Sequence, residues 1–267
     1  MTESDLESIH FHKYHGAGND FILIDARASS FMVPPENFIR KMCDRHFGIG
    51  ADGLMLLMPS ASYDFSMKYY NSDGREGSMC GNGGRCITAF ARKCGIVKKN
   101  YVFEAIDGIH NAEFTSETTI SLRMNDITEM KILDDGIFVN TGSPHFILLH
   151  DDPHRADMNL FGKKYRYDSR FGEGGANINL ISYNRNQITI ATFERGVEAE
   201  TLACGTGAVA AAAAVALKNS EQYNEYQISA KGGRLTVKLM QTGITFSDVF
   251  LSGPAEFVFE GEMLFLP

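Results

Sequence analysis

Cys80-Gly81-Asn82-Gly83 and Cys204-Gly205-Thr206-Gly207 are two copies of one phrase, a cysteine followed by small residues, separated by 124 positions (204 − 80). Each precedes a stretch with helical spacing, Arg85 to Cys94 in the first case and Ala208 to Lys218 in the second. A thiol at such a point lies beside the unpaired N–H groups and the positive end of a helix, which lowers its pKa and suits it to act as a base. The glycines let the backbone turn and approach a ligand closely, so each phrase also reads as a seat for a carboxylate.

The surroundings repeat as well. Phe21-Ile22-Leu23-Ile24-Asp25 recurs as Phe146-Ile147-Leu148-Leu149-His150, and Ala105 with Gly108 as Ala230 with Gly233, all 125 positions apart. Tyr69 and Glu76 align with Phe193 and Glu200. A period this long is not that of a solenoid. It predicts two similar domains, 1–125 and 126–253, whose like cysteines meet in one cleft.

The chain has 267 residues, enough for two cores of ordinary domain size. A formal charge of −8, from 25 basic and 33 acidic residues, argues against a nucleic-acid partner. No apolar run approaches a membrane span, and the opening MTESDLESIH lacks the basic and apolar parts of a signal peptide, so a cytoplasmic location is expected. Five cysteines, an odd number, do not suggest a disulfide framework.

Several polar groups stand at strand ends. Asn19 and Asp20 open the first buried run, and His145 opens its repeat at the position aligned with Asp20. Asn71 lies in an Asn-Ser-Asp-Gly turn, and Asn177 in a glycine-rich loop. Glu194-Arg195 follows the strand 188–193 and reads either as a surface ion pair or as a clamp for the charged ends of a zwitterion. Phe38, Met42 and His46 fall on one face of a helix opened by Pro34-Pro35, which makes His46 a rim or core residue. The second thiol helix is apolar all round and is therefore expected at the centre of its domain.

Two thiols reaching one carbon from opposite faces suit removal of a proton on one side and delivery on the other. Such inversion needs one thiolate and one thiol, hence a bell-shaped pH profile. A Cys–His hydrolase built on Cys204 and His145 leaves the second cysteine phrase unexplained. Zinc spacings are absent, as are nucleotide fingerprints, so no metal and no nucleotide cofactor is expected, and nothing points to a pyridoxal lysine.

The phrases His15-Gly16-Ala17-Gly18-Asn19-Asp20-Phe21, Asn71-Ser72-Asp73-Gly74, Cys80 to Cys86, Glu194-Arg195-Gly196 and Ala203 to Gly207 together resemble the diaminopimelate epimerases, in order and over nearly the whole chain. The resemblance implies an α+β fold of two pseudo-symmetric domains, each a mainly antiparallel curled sheet around a central helix. It also implies that the last strand, within 254–267, returns to the first domain. It implies interconversion of LL- and meso-diaminopimelate, in lysine and peptidoglycan precursor synthesis, without pyridoxal phosphate or any other cofactor, in a homodimer.

By the same resemblance Cys80 and Cys204 are the acid–base pair. Asn19, Asn71, Asn177, Glu194 and Arg195 hold substrate, the backbones of Gly81-Asn82 and Gly205-Thr206 cradle a carboxylate, and His145 and Glu194 support the thiols. Ser143 and Gly53 depart from the family's usual Asn and Gln. The shorter Ser143 puts a distal substrate contact in question, and Gly53 contributes no side chain. The alternatives are another two-cysteine amino-acid racemase akin to the proline racemases, a cysteine hydrolase, or a binding protein that has kept the cleft without the reaction.

Overall fold

The structure is a computed structural model that describes residues 7–219 and 224–265. The first six residues of the opening stretch considered above for a leader lie outside it. In chain order the elements are β1 (Glu7–Gly16), β2 (Asn19–Asp25), α1 (Glu36–Cys43), β3 (Gly53–Met58), β4 (Phe65–Asn71), β5 (Glu76–Gly77), α2 (Gly81–Lys93), β6 (Asn100–Ala105), β7 (Gly108–Phe114) and β8 (Thr119–Arg123). They continue with β9 (Glu129–Leu133), β10 (Gly136–Asn140), β11 (Pro144–Leu149), α3 (Met158–Tyr165), β12 (Asn177–Asn184), β13 (Gln187–Glu194), β14 (Ala199–Thr201), α4 (Gly205–Lys218), β15 (Glu225–Ala230), β16 (Gly233–Thr242), β17 (Thr245–Pro254) and β18 (Glu256–Phe265). Two compact units result, one of residues 1–120 with 255–267, the other of residues 121–254.

In the first unit β1 pairs antiparallel with both β18 and β2, and a tight turn closes β1 onto β2. Ala17 (φ 55°) and Gly18 (φ 85°) supply the two positive-φ residues that a two-residue hairpin turn needs. From β2 the sheet runs parallel to β3, antiparallel to β4, parallel to β6 and antiparallel to β7. The second unit repeats this order from β10 through β11, β12, β13 and β15 to β16, with the same alternation. Each unit is therefore a mainly antiparallel α+β sheet with a helix packed on its inner face. The hairpin closures Ala105↔Gly108 and Ala230↔Gly233 coincide with the repeated pair.

The register corrects two alignments. Glu76 lies opposite Tyr70, as Glu200 lies opposite Phe193, so Tyr70 rather than Tyr69 matches Phe193. Ile22, Ile24, Leu54, Leu56 and Tyr70 turn outward onto α1, whereas Phe146, Leu148, Ile178, Leu180 and Phe193 turn outward onto α3. A one-residue slip would send each of these side chains to the other face. The two strand runs thus superpose at 124 positions, not 125, and His145 corresponds to Phe21 instead of Asp20.

Both inner helices begin earlier than their propensities suggest. Cys80 and Cys204 are N-caps with extended backbone, and the following glycines form the first helical turn. Glycine is favoured at positions 83 and 207 by close contact rather than by a turn. A Cβ on Gly83 would lie 2.8 Å from Met55 Cε, and one on Gly207 would lie 2.7 Å from Asn179 Oδ1. Helix α2 lies against β1, β2, β3 and β7, and α4 against β10 to β13 and β15 to β17. Every residue of α4 from Gly207 to Ala216 is buried, and small side chains on all sides let the strands close around it.

Helix α1 ends at Cys43 because the Asp44 carboxylate accepts the N–H groups of His46 (2.7 Å) and Phe47 (2.8 Å) in a turn. Its buried face is Ile39, Met42 and Cys43. His46 therefore lies beyond the helix and is exposed, contrary to the expected rim or core position.

Candidate active site

In the first unit the Cys80 sulfur takes the capping position and accepts the Gly83 N–H at 3.2 Å. The Asn19 Oδ1 lies 3.8 Å from the same sulfur and accepts from Asn82 Nδ2 at 3.2 Å. Two further groups fix these amides. Asn82 Oδ1 accepts from Arg85 Nη2 at 2.8 Å, and Asn19 Nδ2 donates to Asp52 Oδ2 at 2.6 Å. Arg85 is fully buried and also donates to Gly81 O at 3.1 Å, tying the guanidinium to the first turn of α2.

Asp52 belongs to an ionic lattice behind Asn19. Arg45 bridges Asp20 and Asp52 at 2.7 Å each, and Lys13 pairs with Asp20 at 2.7 Å while donating to Gly50 O. Burial raises the Asp20 carboxyl pKa, but the hydrogen bonds and charges of Arg45 and Lys13 outweigh it and hold the group at about 2. Asp20 is therefore an anchor of the hairpin end that presents Asn19. Asn71 sits exposed at the end of β4, its backbone N–H bonded to Arg75 O and its carbonyl to the Gly74 N–H, both at 2.9 Å. Opposite it, the space a side chain at Gly53 would need is filled by Tyr69, whose Cε2 and Oη lie 2.4 and 2.7 Å from such a Cβ.

In the second unit the Cys204 sulfur lies 3.4 Å from the Thr206 hydroxyl. Beneath the first turn of α4 lies a buried polar cluster. His145 Nδ1 is 3.1 Å from Asn179 Nδ2, Thr192 Oγ1 donates to Asn179 Oδ1 at 2.9 Å, and His145 Nε2 is 3.4 Å from Asn177 Nδ2. Burial depresses the His145 pKa to about 3, against a smaller opposing effect of the Asn179 hydrogen bond, and the nearby Arg195 charge lowers it further. The imidazole is neutral at any working pH.

Asn177 is held on three sides. Its Nδ2 donates to Ser143 Oγ and Pro144 O at 3.0 Å each, and its Oδ1 accepts the Arg195 N–H at 2.8 Å. Ser143, questioned above as a substrate contact, thus orients Asn177. Glu194 Oε2 accepts from Thr201 Oγ1 at 3.0 Å, and the exposed Arg195 follows on a turn secured by Arg166, which binds Glu198 at 2.8 Å and Gly174 O at 2.7 Å.

Within each unit the structure gathers the expected residues around its own cysteine: Asn19, Gly81 and Asn82 with Cys80, and His145, Asn177, Gly205 and Thr206 on or beside the helix of Cys204. The sequence reading gave Arg85 and Tyr69 no part in the site and did not single out Asp52, Asn179 or Thr192. Asn177 and Asn179 did carry a signal, since two amides spaced by two on a strand share a face. As for metal donors, His10, His12 and Glu260 bring ligand atoms within 4.8 Å of one another, but Lys93 already holds Glu260 at 3.0 Å, and Lys93 closes the end of α2 opposite Cys80.

Comparison with known proteins identifies the family. The family model "Diaminopimelate epimerase" matches residues 11–128 and 137–258. The diaminopimelate epimerase of Flavobacterium psychrophilum is 48% identical over 250 residues, covering 93% of this chain and 98% of that protein. That of Chlorobaculum tepidum is 39% identical over 259 residues, covering 92% and 98%. Among solved structures, a PhzF-family phenazine biosynthesis protein of Bacillus anthracis superposes with a TM-score of 0.75 at 16% identity, covering 97% of this chain and all of that one. A hydroxyproline epimerase of Agrobacterium vitis gives 0.68 at 13%, covering 100% and 95%. These two likenesses concern the fold alone. With its paired capping cysteines and family matches spanning both units, the chain belongs to the diaminopimelate epimerase family.

Proposed function

We propose that the protein interconverts LL- and meso-diaminopimelate by moving a proton at the α-carbon between the thiols of Cys80 and Cys204, with no cofactor. The observation that carries this reading is that, in a chain of this family, each cysteine caps a buried helix. One cysteine acts as thiolate and takes the α-proton, and the electron pair left on carbon spreads onto the substrate carboxylate. The other, as thiol, returns a proton to the opposite face, which inverts the centre and leaves the two thiols with exchanged protonation states.

The N–H groups of the first turns, at Gly81-Asn82 and Gly205-Thr206, supply fixed donors where the carboxylate gains charge. Asn19, Asn71, Asn177, Glu194 and Arg195 hold the remaining polar groups of the substrate, and His145 and Glu194 support the reacting centre. We place the enzyme in lysine and peptidoglycan precursor synthesis, in the cytoplasm and as a homodimer, with no nucleic-acid or membrane partner. Among the described residues no helix is long and apolar enough to cross a membrane.

Proton NMR of LL-diaminopimelate with the protein in deuterium oxide tests the reading. Loss of the α-proton with appearance of the meso form, abolished by either Cys80→Ala or Cys204→Ala, is expected. Turnover that survives either substitution refutes the two-thiol mechanism. Turnover of another amino acid in place of diaminopimelate refutes the substrate.

A further inference from the structure

The cluster below α4 has no counterpart in the first unit. By the sheet register, Phe21, Met55 and Tyr69 stand where His145, Asn179 and Thr192 stand, and Met55 rather than an amide meets the helix glycine. One copy of the fold manages with an apolar and aromatic layer, so the buried polar one is not a demand of the architecture. Burying three polar side chains costs stability unless each is bonded, and a role in the site is the reason to look for.

The hydrogen-bond pattern determines which nitrogen of His145 carries the proton. Asn179 Nδ2 faces two carbonyl oxygens, Phe146 O at 3.4 Å and Asn177 O at 3.3 Å, besides His145 Nδ1. Its Oδ1 takes the Thr192 hydroxyl. Turning the amide over would set its oxygen against both carbonyls, which only accept. Asn179 is therefore the donor to Nδ1, and the proton of the neutral ring sits on Nε2. Asn177 is fixed in the same way, with its Nδ2 toward Pro144 O and Ser143 Oγ and its Oδ1 toward the Arg195 N–H. His145 Nε2–H and Asn177 Nδ2, 3.4 Å apart, are thus two donors that cannot bond each other.

We propose that His145 serves as a neutral hydrogen-bond donor through Nε2–H to a carboxylate oxygen of the bound substrate, not as a proton acceptor. Asn179 and Thr192 are positioning residues that hold it in this tautomer. The charge beside it agrees with a carboxylate: Arg195, whose cation lies near enough to act on the ring, is a donor and carries the opposite sign. A histidine meant to take a proton from a thiol would need Nε2 bare and a pKa near the working pH. Here Asn179 occupies the ring's acceptor lone pair, and burial beside Arg195 opposes a second proton. The inference rests on the proposed function for its substrate, but its central claim concerns the free protein.

Nitrogen-15 NMR of histidine-labelled protein between pH 5 and 9 reads the tautomer directly. In the free wild type His145 should show an unprotonated Nδ1 and a protonated Nε2, with no titration. A proton on Nδ1, or an imidazolium forming in that range, overturns the proposal. Asn179→Asp presents an acceptor to Nδ1 and should draw the proton there, and an unmoved tautomer removes Asn179 from its assigned role. Thr192→Val should lower kcat/KM for LL-diaminopimelate about three- to tenfold, the loss of roughly one hydrogen bond, and Thr192→Ser should restore it. An unchanged kcat/KM would refute the carboxylate contact. If diaminopimelate is not turned over at all while the tautomer is as stated, the substrate assignment fails and the tautomer assignment stands.

Discussion

The two helix glycines make a matched pair whose substitution should have unequal consequences. An alanine Cβ at position 207 would lie 2.7 Å from Asn179 Oδ1 and 3.3 Å from both Thr192 Oγ1 and Cys204 Cβ. Asn179 is fully buried and cannot swing away, because its amide nitrogen is held by the carbonyls of Phe146 and Asn177. Either the helix start shifts, carrying Cys204 with it, or the Thr192–Asn179 bond breaks. Overpacking of this kind costs about 1–3 kcal/mol, and a buried polar group left without its bond costs about 1–3 kcal/mol. Replacing a helical glycine by alanine returns at most about 1 kcal/mol. Gly207→Ala should thus be destabilised by up to about 2 kcal/mol where one of these costs applies, and by more where both do.

At Gly83 the nearest atom is Met55 Cε at 2.8 Å, the free end of a flexible side chain, followed by Cys80 Sγ at 3.3 Å. A thioether end can rotate aside, so Gly83→Ala should lie within about 1 kcal/mol of wild type, in either direction. Urea unfolding midpoints of the two variants beside wild type make the comparison, with unchanged slopes showing that the unfolding reaction is the same. A Gly207→Ala midpoint equal to or above that of Gly83→Ala would refute the claim that the polar layer under α4 is rigid.

Three further outcomes follow from the same contacts. Asp20, with a folded pKa of about 2 against an unfolded value near 3.9, lends stability that is complete above pH 4–5 and is lost as the pH falls through about 2. After discount for the half-exposed Arg45, its contribution is on the order of 1 kcal/mol. Unfolding free energy measured from pH 5 to 2 should therefore fall less steeply in Asp20→Asn than in wild type, and parallel slopes would show that Asp20 is not the anchor. Asp52→Ala releases Asn19 from its 2.6 Å bond. KM for diaminopimelate should rise by about tenfold, more than the fall in kcat, and an unchanged KM would detach Asp52 from the site. Ser143→Ala removes one of two acceptors from Asn177 Nδ2 and leaves Pro144 O in place, so steady-state assays should show less than a tenfold drop in kcat/KM. A larger loss would mean that Ser143 itself reaches the substrate.

The elements that were legible and those that were not differ in the range of the forces involved. Phe21 to Ile24 and Phe146 to Leu149 read as strands because an apolar run buried on both faces needs no partner to be recognised. Their register did not read, since the two runs align by residue identity at one offset while the side chains facing α1 and α3 coincide at another. Only the cross-strand partners, Gly53 opposite Phe21 and Asn177 opposite His145, determine which face each residue takes. The helix starts were misplaced for a related reason. Glycine's low propensity argued for turns at 81–84 and 205–207, yet Gly83 and Gly207 lie in the helices, where the strands beneath come within 2.8 and 2.7 Å of where a Cβ would stand.

The supporting residues were the least visible, and for them distance along the chain is decisive. Asp52 meets Asn19 across 33 positions, and Asn179 meets His145 across 34. Nothing local marks either contact. What the strand did offer was Asn177-Ile178-Asn179, in which two amides point to the face that receives α4. An amide on the inner face of a buried strand must find a bond there. The matching strand of the first unit carries Gly53-Leu54-Met55, with no polar side chain to satisfy. Comparing the two copies position by position, at the offset that the sheet register supports, separates what the fold needs from what the chemistry adds. By that criterion we propose that His145, Asn179 and Thr192 serve the chemistry of Cys204 and not the fold.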